Sequence, residues 1–180
     1  MEKTTIILVT SEAAVKQTTA ISENTAGKYM RAAMLDAQEV ALKRIIGSCL
    51  LEKLKNLIAS DEIALPENGI YADTLDKIAP YMAYQTAVEL AFRLSYKFAN
   101  IGVHKTRDEG VDNATFDEIV SQKAYYQAKA DAAAIEMQKW LLKNKGAIPE
   151  LDCCCCAAIE ANLRDAVTCA IFLGGRRGVR

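Results

Sequence analysis

Residues 72–100 constrain this chain more than any other stretch, because they read as one long helix that is apolar on two faces. Ala79, Met82, Ala83, Ala87, Leu90, Ala91, Leu94 and Phe98 recur at the three-and-four spacing that lines one side of a 3.6-period helix. Tyr81, Tyr84, Val88, Phe92 and Tyr96 make a second stripe beside the first. Only Gln85, Glu89, Arg93 and Lys97 keep a polar line, with Glu89 placed one turn before Arg93 in the favourable order for an ion pair. A helix apolar over most of its circumference must be covered from several directions. The fold expected is therefore mainly α, a bundle of three to five helices around this element. Pro80 fits if the regular helix begins near it, where no N–H is needed.

The flanking segments supply the cover. Residues 4–9 (TTIILV) are β-branched and suit a strand or extended arm, which pairs either inside its own domain or with a neighbouring subunit. Thr10 then looks like the cap of a brief helix. From residue 24 the pattern turns helical. Met30, Ala33, Met34, Ala37, Ala41 and Ile45 form a stripe, Gly47 ends it, and Ser48 caps a second helix carrying Leu50, Leu51, Leu54, Leu57 and Ile58. Residues 60–71 read as a loop, and residues 100–113 as a charged excursion with a short extended piece at 101–104. The next long helix, residues 114–144, marks its buried side with Phe116, Ile119, Tyr126, Ala130, Ala133, Met137, Trp140 and Leu141. Its alanine-rich middle lets another helix approach closely. Gly146 and Pro149 end it. The organisation expected is an arm and short helix at 1–23, a bundle at 24–146, and a non-helical, Cys-rich extension at 147–180.

Composition removes several function classes. A 51% apolar, 25% charged chain is that of a folded protein, and a net charge of -1 excludes a globally basic nucleic-acid binder. No apolar run approaches the roughly 20 residues that cross a bilayer, and residues 1–10 do not read as a secretory signal, so no membrane association and an intracellular origin are expected.

Candidate chemistry is sparse. Cys153 to Cys156 stand in a row, whereas zinc sites bring spaced thiolates together tetrahedrally. In an extended chain such a run alternates faces. Cys153, Cys155 and Cys169 converge only if the end of the chain folds back as a hairpin; the alternative is small buried apolar residues. His104, the one histidine, has no nucleophile in a recognisable setting beside it. Phosphate-loop and dinucleotide motifs are absent from the sequence. No enzyme activity and no cofactor are expected. At the end of the chain, residues 167–173 (VTCAIFL) are apolar and β-prone, and Arg176, Arg177 and Arg180 follow. They read either as a frayed basic terminus or as an anchor for a partner.

The segment order carries a resemblance. A helical pair ending near KRIIGSCLLEKL is followed by LDKIAPYMAYQTAVELAFRLSYKFANIGV, then AYYQAKADAAAIEMQKWLLKN, a PELD turn, a Cys-containing segment and the apolar end TCAIFLGGRRG. Over residues 24–178 this resembles the head-to-tail connector (adaptor) ring proteins of tailed phages, of the Bacteroides and crAss-like phage type. The resemblance implies a structural virion protein located in the neck or tail and made in the bacterial host cytoplasm. It further implies a homo-oligomeric ring, dodecameric as a rule, between the portal protein and the next tail or ring protein, with DNA only as passing cargo. On that reading Ala170, Ile171, Phe172, Leu173, Arg176, Arg177 and Arg180 form the portal-facing anchor, and His104, Lys105, Arg107 and Asp108 a contact to a second ring. Four consecutive cysteines depart from what such adaptors carry. The competing expectation, from a different class, is a small helical regulatory or chaperone module whose Cys-rich tail binds zinc.

Overall fold

The computed structural model describes residues 6–99, 102–105 and 115–151. It is a mainly α bundle built on one central helix. In chain order the elements are α1 (Glu12–Thr18), α2 (Gly27–Asp36), a π-helical insert (Ala37–Leu42), α3 (Lys43–Ile46), α4 (Ser48–Ala59), α5 (Gly69–Ser95), strands β1 (Tyr96–Ala99) and β2 (Gly102–Lys105), and α6 (Phe116–Lys143).

Helix α5 is the expected hub, at 27 residues. Its positions pack against α1, α2, the π insert and α6. Ile78, Met82, Ala83, Val88 and Leu90 are buried, as is Thr86, whose hydroxyl donates to the Met82 carbonyl at 2.6 Å. Three details differ from the sequence reading. The helix begins at Gly69, so Pro80 lies well inside it, on an exposed position where water can serve the carbonyl that loses its N–H partner. It stops at Ser95 rather than residue 100, and the chain turns into an antiparallel hairpin that pairs Tyr96 with Lys105 and Ala99 with Gly102. The polar line is also resolved differently: Arg93 pairs with Asp36 of α2, while Glu89 accepts from Gln85 Nε2 at 3.2 Å.

Helix α6 runs antiparallel to α5, with Tyr126 packed beside Ala87 and Val88, Lys129 over Tyr84, and Lys139 and Lys143 beside Lys77. Its start is fixed by a capping box in which Thr115 Oγ1 accepts from the Glu118 N–H and the Glu118 carboxylate accepts from the Thr115 N–H. Ala130 is fully buried against the rest of the core, as the small-residue argument requires. Phe116, expected on the buried side, is 58% exposed.

The main core joins Leu42, Ile46, Leu50, Leu51 and Leu54 to Met82 of α5 and Met137 and Leu141 of α6. Burying each such side chain stabilises the fold by about 1.5–3 kcal/mol. A continuous α-helix over 27–46 would have faced Ala41 and Ile45 inward. The π insert adds about one residue to the turn, so that Leu42 and Ile46 are fully buried while Ala41 and Ile45 pack half-buried against the core; Gln38 is fully buried as well. Gly47 ends this segment at φ 82°, ψ 165°, a backbone region that only glycine occupies without strain. It, and not Ser48, is also the cap of α4.

The bundle extends past residue 146. Ile148 and Leu151 are fully buried in the main core, and the Tyr71 hydroxyl donates to the Glu150 carboxylate at 2.9 Å. Burial, with the Glu150 charge beside it, pushes the Tyr71 hydroxyl up to about 12.

Candidate docking surface

Residues 6–9 form no strand, yet they are held inside their own chain. The buried Gln38 carboxamide accepts from the Val9 N–H at 2.9 Å and donates to the Ile7 carbonyl at 3.0 Å. One side chain thereby occupies the place of a neighbouring strand residue, bonding on either side of Leu8. The same Nε2 donates to the Glu39 carboxylate, and with Lys55 at 3.3 Å it holds that carboxyl below its usual range. Burial opposes the Lys55 charge, but hydrogen bonds to Glu52 and Glu39 outweigh it and raise the ammonium. Ser11, one residue later than expected, caps α1 by accepting from the Ala14 N–H. The Thr10 hydroxyl is buried and meets no hydrogen-bond partner among the described residues.

At the hairpin end of the bundle an apolar groove of about 240 Å³ opens between α5, α6 and the segment joining α1 to α2. Ala87, Leu90 and Leu94 line it from α5, Ile119, Gln122 and Tyr126 from α6, and Ile21, Ser22 and Thr25 from the joining segment. Sequence periodicity places Ala87, Leu90, Leu94, Ile119 and Tyr126 on buried stripes, yet Leu94 is 42% exposed. The groove has a fixed shape because the Tyr126 hydroxyl accepts from the Ala20 N–H at 3.2 Å, tying the joining segment to α6. Tyr125 meets Tyr126 edge to face at 5.3 Å, and Lys129 lies between the rings of Tyr125 (4.6 Å) and Tyr84 (5.4 Å). Contact with Tyr125 raises the Lys129 ammonium above its ordinary value.

This surface can bind apolar side chains. Among the described residues no three His, Cys, Asp or Glu side chains are grouped to hold a metal ion, and no helix is long and apolar enough to cross a membrane. The residues singled out from sequence fall mostly elsewhere. Ala170, Ile171, Phe172, Leu173, Arg176, Arg177 and Arg180 lie outside the described residues, as do Arg107, Asp108, Cys153, Cys155 and Cys169. His104 and Lys105 stand on β2, opposite Lys97 and Tyr96 in the hairpin register. Gln38 escaped sequence reading because it sits next to Ala37 in an alanine-rich stripe; one amide at an inward position is its only signal.

A family model matches residues 42–161, two thirds of the chain. The chain belongs to DUF6712, a family of unknown function. In DUF6712 terms the matched region opens at the π insert, takes in α3 to α6 and the buried Ile148 and Leu151, and leaves out the Gln38 clamp. Comparison with curated proteins and with solved structures returns no match.

Proposed function

We propose that this DUF6712 chain is a structural virion protein, a head-to-tail connector subunit that forms a ring between the portal and the next tail component and lets DNA pass through its lumen. The reading rests on the resemblance in segment order, and its support is the run of elements from α2 to α6: a bent helical pair, a long hub helix, a second long helix and a Pro-Glu-Leu turn, in that sequence. A ring subunit binds its neighbours through surfaces rather than through a reaction centre, and the exposed apolar side chains of Phe116, Val120 and Tyr125 along α6 suit that task. The basic end, Arg176, Arg177 and Arg180, remains the proposed portal anchor, and the hairpin bearing His104 and Lys105, with Arg107 and Asp108 following it, the proposed contact to a second ring. No catalytic residue and no cofactor belong to the proposal. Its location is the neck of the virion.

The test is reconstitution. Purified chain mixed with purified portal of the same phage should give portal rings bearing an extra layer of density in electron micrographs, and removal of residues 174–180 should abolish the layer. Portal rings that stay bare with the intact chain contradict the proposal. Zinc co-purifying in stoichiometric amount with such an inactive chain would favour the regulatory module instead.

A further inference from the structure

We propose that the hairpin-end groove is the resting site of the chain's own terminal apolar segment, residues 167–173 (VTCAIFL). The proposal goes beyond the virion reading and holds with or without it. Two observations carry it. The groove is lined mainly by apolar side chains, Leu90, Leu94, Ile119 and Ile21 among them, with Ser22, Thr25 and Gln122 beside them, around about 240 Å³. A cavity of about 150 Å³ accepts a benzene ring, so this one has room for the Phe172 ring together with an aliphatic neighbour such as Ile171. The described chain ends at Leu151, anchored beside Tyr71 through Glu150, and Tyr71 lies nineteen positions before Leu90 on α5. That separation is about 29 Å at the helical rise. Residues 152–166 span up to about 50 Å when extended, so the segment reaches the groove of its own chain with length to spare. Tethering also sets the competition. A short linker supplies an effective concentration of about millimolar, well above that of a second copy in dilute solution.

The consequence is that the apolar segment is covered in the free chain, which protects it from self-association.

The test replaces Phe172 with p-benzoylphenylalanine in the full chain, under reducing conditions, and irradiates at a series of dilutions. The expected product is a cross-link within one chain to α5 or α6 peptides containing Leu90, Leu94 or Ile119, with a yield that does not change on dilution. Leu94→Asp, at a position exposed enough to leave the fold intact by circular dichroism, should cut that yield about tenfold, since a carboxylate in the groove opposes apolar docking. Ile171→Asp, placed in the segment itself, should do the same without touching the bundle. Cross-links between chains that grow with concentration would assign the groove to a second copy and overturn the proposal. So would intrachain products elsewhere, or none.

Discussion

Replacing Gln38 with Met tests whether one buried carboxamide holds the amino-terminal arm. The substitution keeps volume and removes two hydrogen bonds to the arm, from the Val9 N–H and to the Ile7 carbonyl. Val9 is 7% exposed, so its N–H is left without water or partner, while the Ile7 carbonyl is only part-buried and recovers some solvation. An orphaned buried group costs about 1–3 kcal/mol, which puts the pair at roughly 2–4 kcal/mol. For a chain of this size that corresponds to a fall in Tm on the order of 10 °C. The deciding assay is a cycle in which Gln38→Met is made both in the intact chain and in one lacking residues 1–10, with each variant unfolded in urea. Without the arm, Gln38 is an inward amide with fewer partners, so the same change should be neutral or stabilising. Equal destabilisation in both backgrounds would refute the clamp.

Gly47→Ala should cost about 1–3 kcal/mol, because no side chain suits φ 82°, ψ 165°; thermal unfolding reads it. A chain ending after Leu151 should keep its helical circular dichroism, whereas one ending after Ala147 loses fully buried Ile148 and Leu151, about 3–6 kcal/mol of burial, and should melt markedly lower. Stability should also fall at high pH. Burial pushes Tyr81 up to about 12, with Asp131 and Glu89 adding to it, and Tyr71 stands at about 12 as well. Both folded-state values lie above the ordinary 10, so their contribution is fully present below pH 10 and is lost as pH rises towards 12. Urea midpoints across that window should drop for the parent chain and drop less for Tyr71→Phe combined with Tyr81→Phe.

Long-range periodicity made the bundle legible. The two apolar stripes between Ala79 and Leu90 can be satisfied only by a hub helix, and α5 is one. Gly47 was legible for the same local reason, since a glycine after a helical stripe marks a positive φ. Readings that assumed an unbroken 3.6 period failed where the backbone departs from it. The π insert makes Leu42 and Ile46 the fully buried positions and leaves Ala41 and Ile45 half-buried against the core, and no single residue in AQEVAL announces it. Helix α5 gives way to β1 at Tyr96 because Tyr, Lys, Phe and Ala serve a strand as readily as the last turn of a helix, and pairing with Gly102–Lys105 decides between them. The groove was invisible in sequence since its walls come from the segment after α1, from α5 and from α6, far apart in the chain. Ile148 and Leu151 were assigned to an extension because a Pro three residues after a helix-ending Gly looks like an exit; the Tyr71 to Glu150 hydrogen bond and the surrounding leucines make them core.

The connector proposal is tested most directly by counting. Quantitative mass spectrometry of purified particles of the phage that encodes this chain gives its copy number relative to the portal protein. The account predicts a ratio of one or a small integer, as a ring stacked on the portal requires. Absence of the chain from mature particles contradicts it.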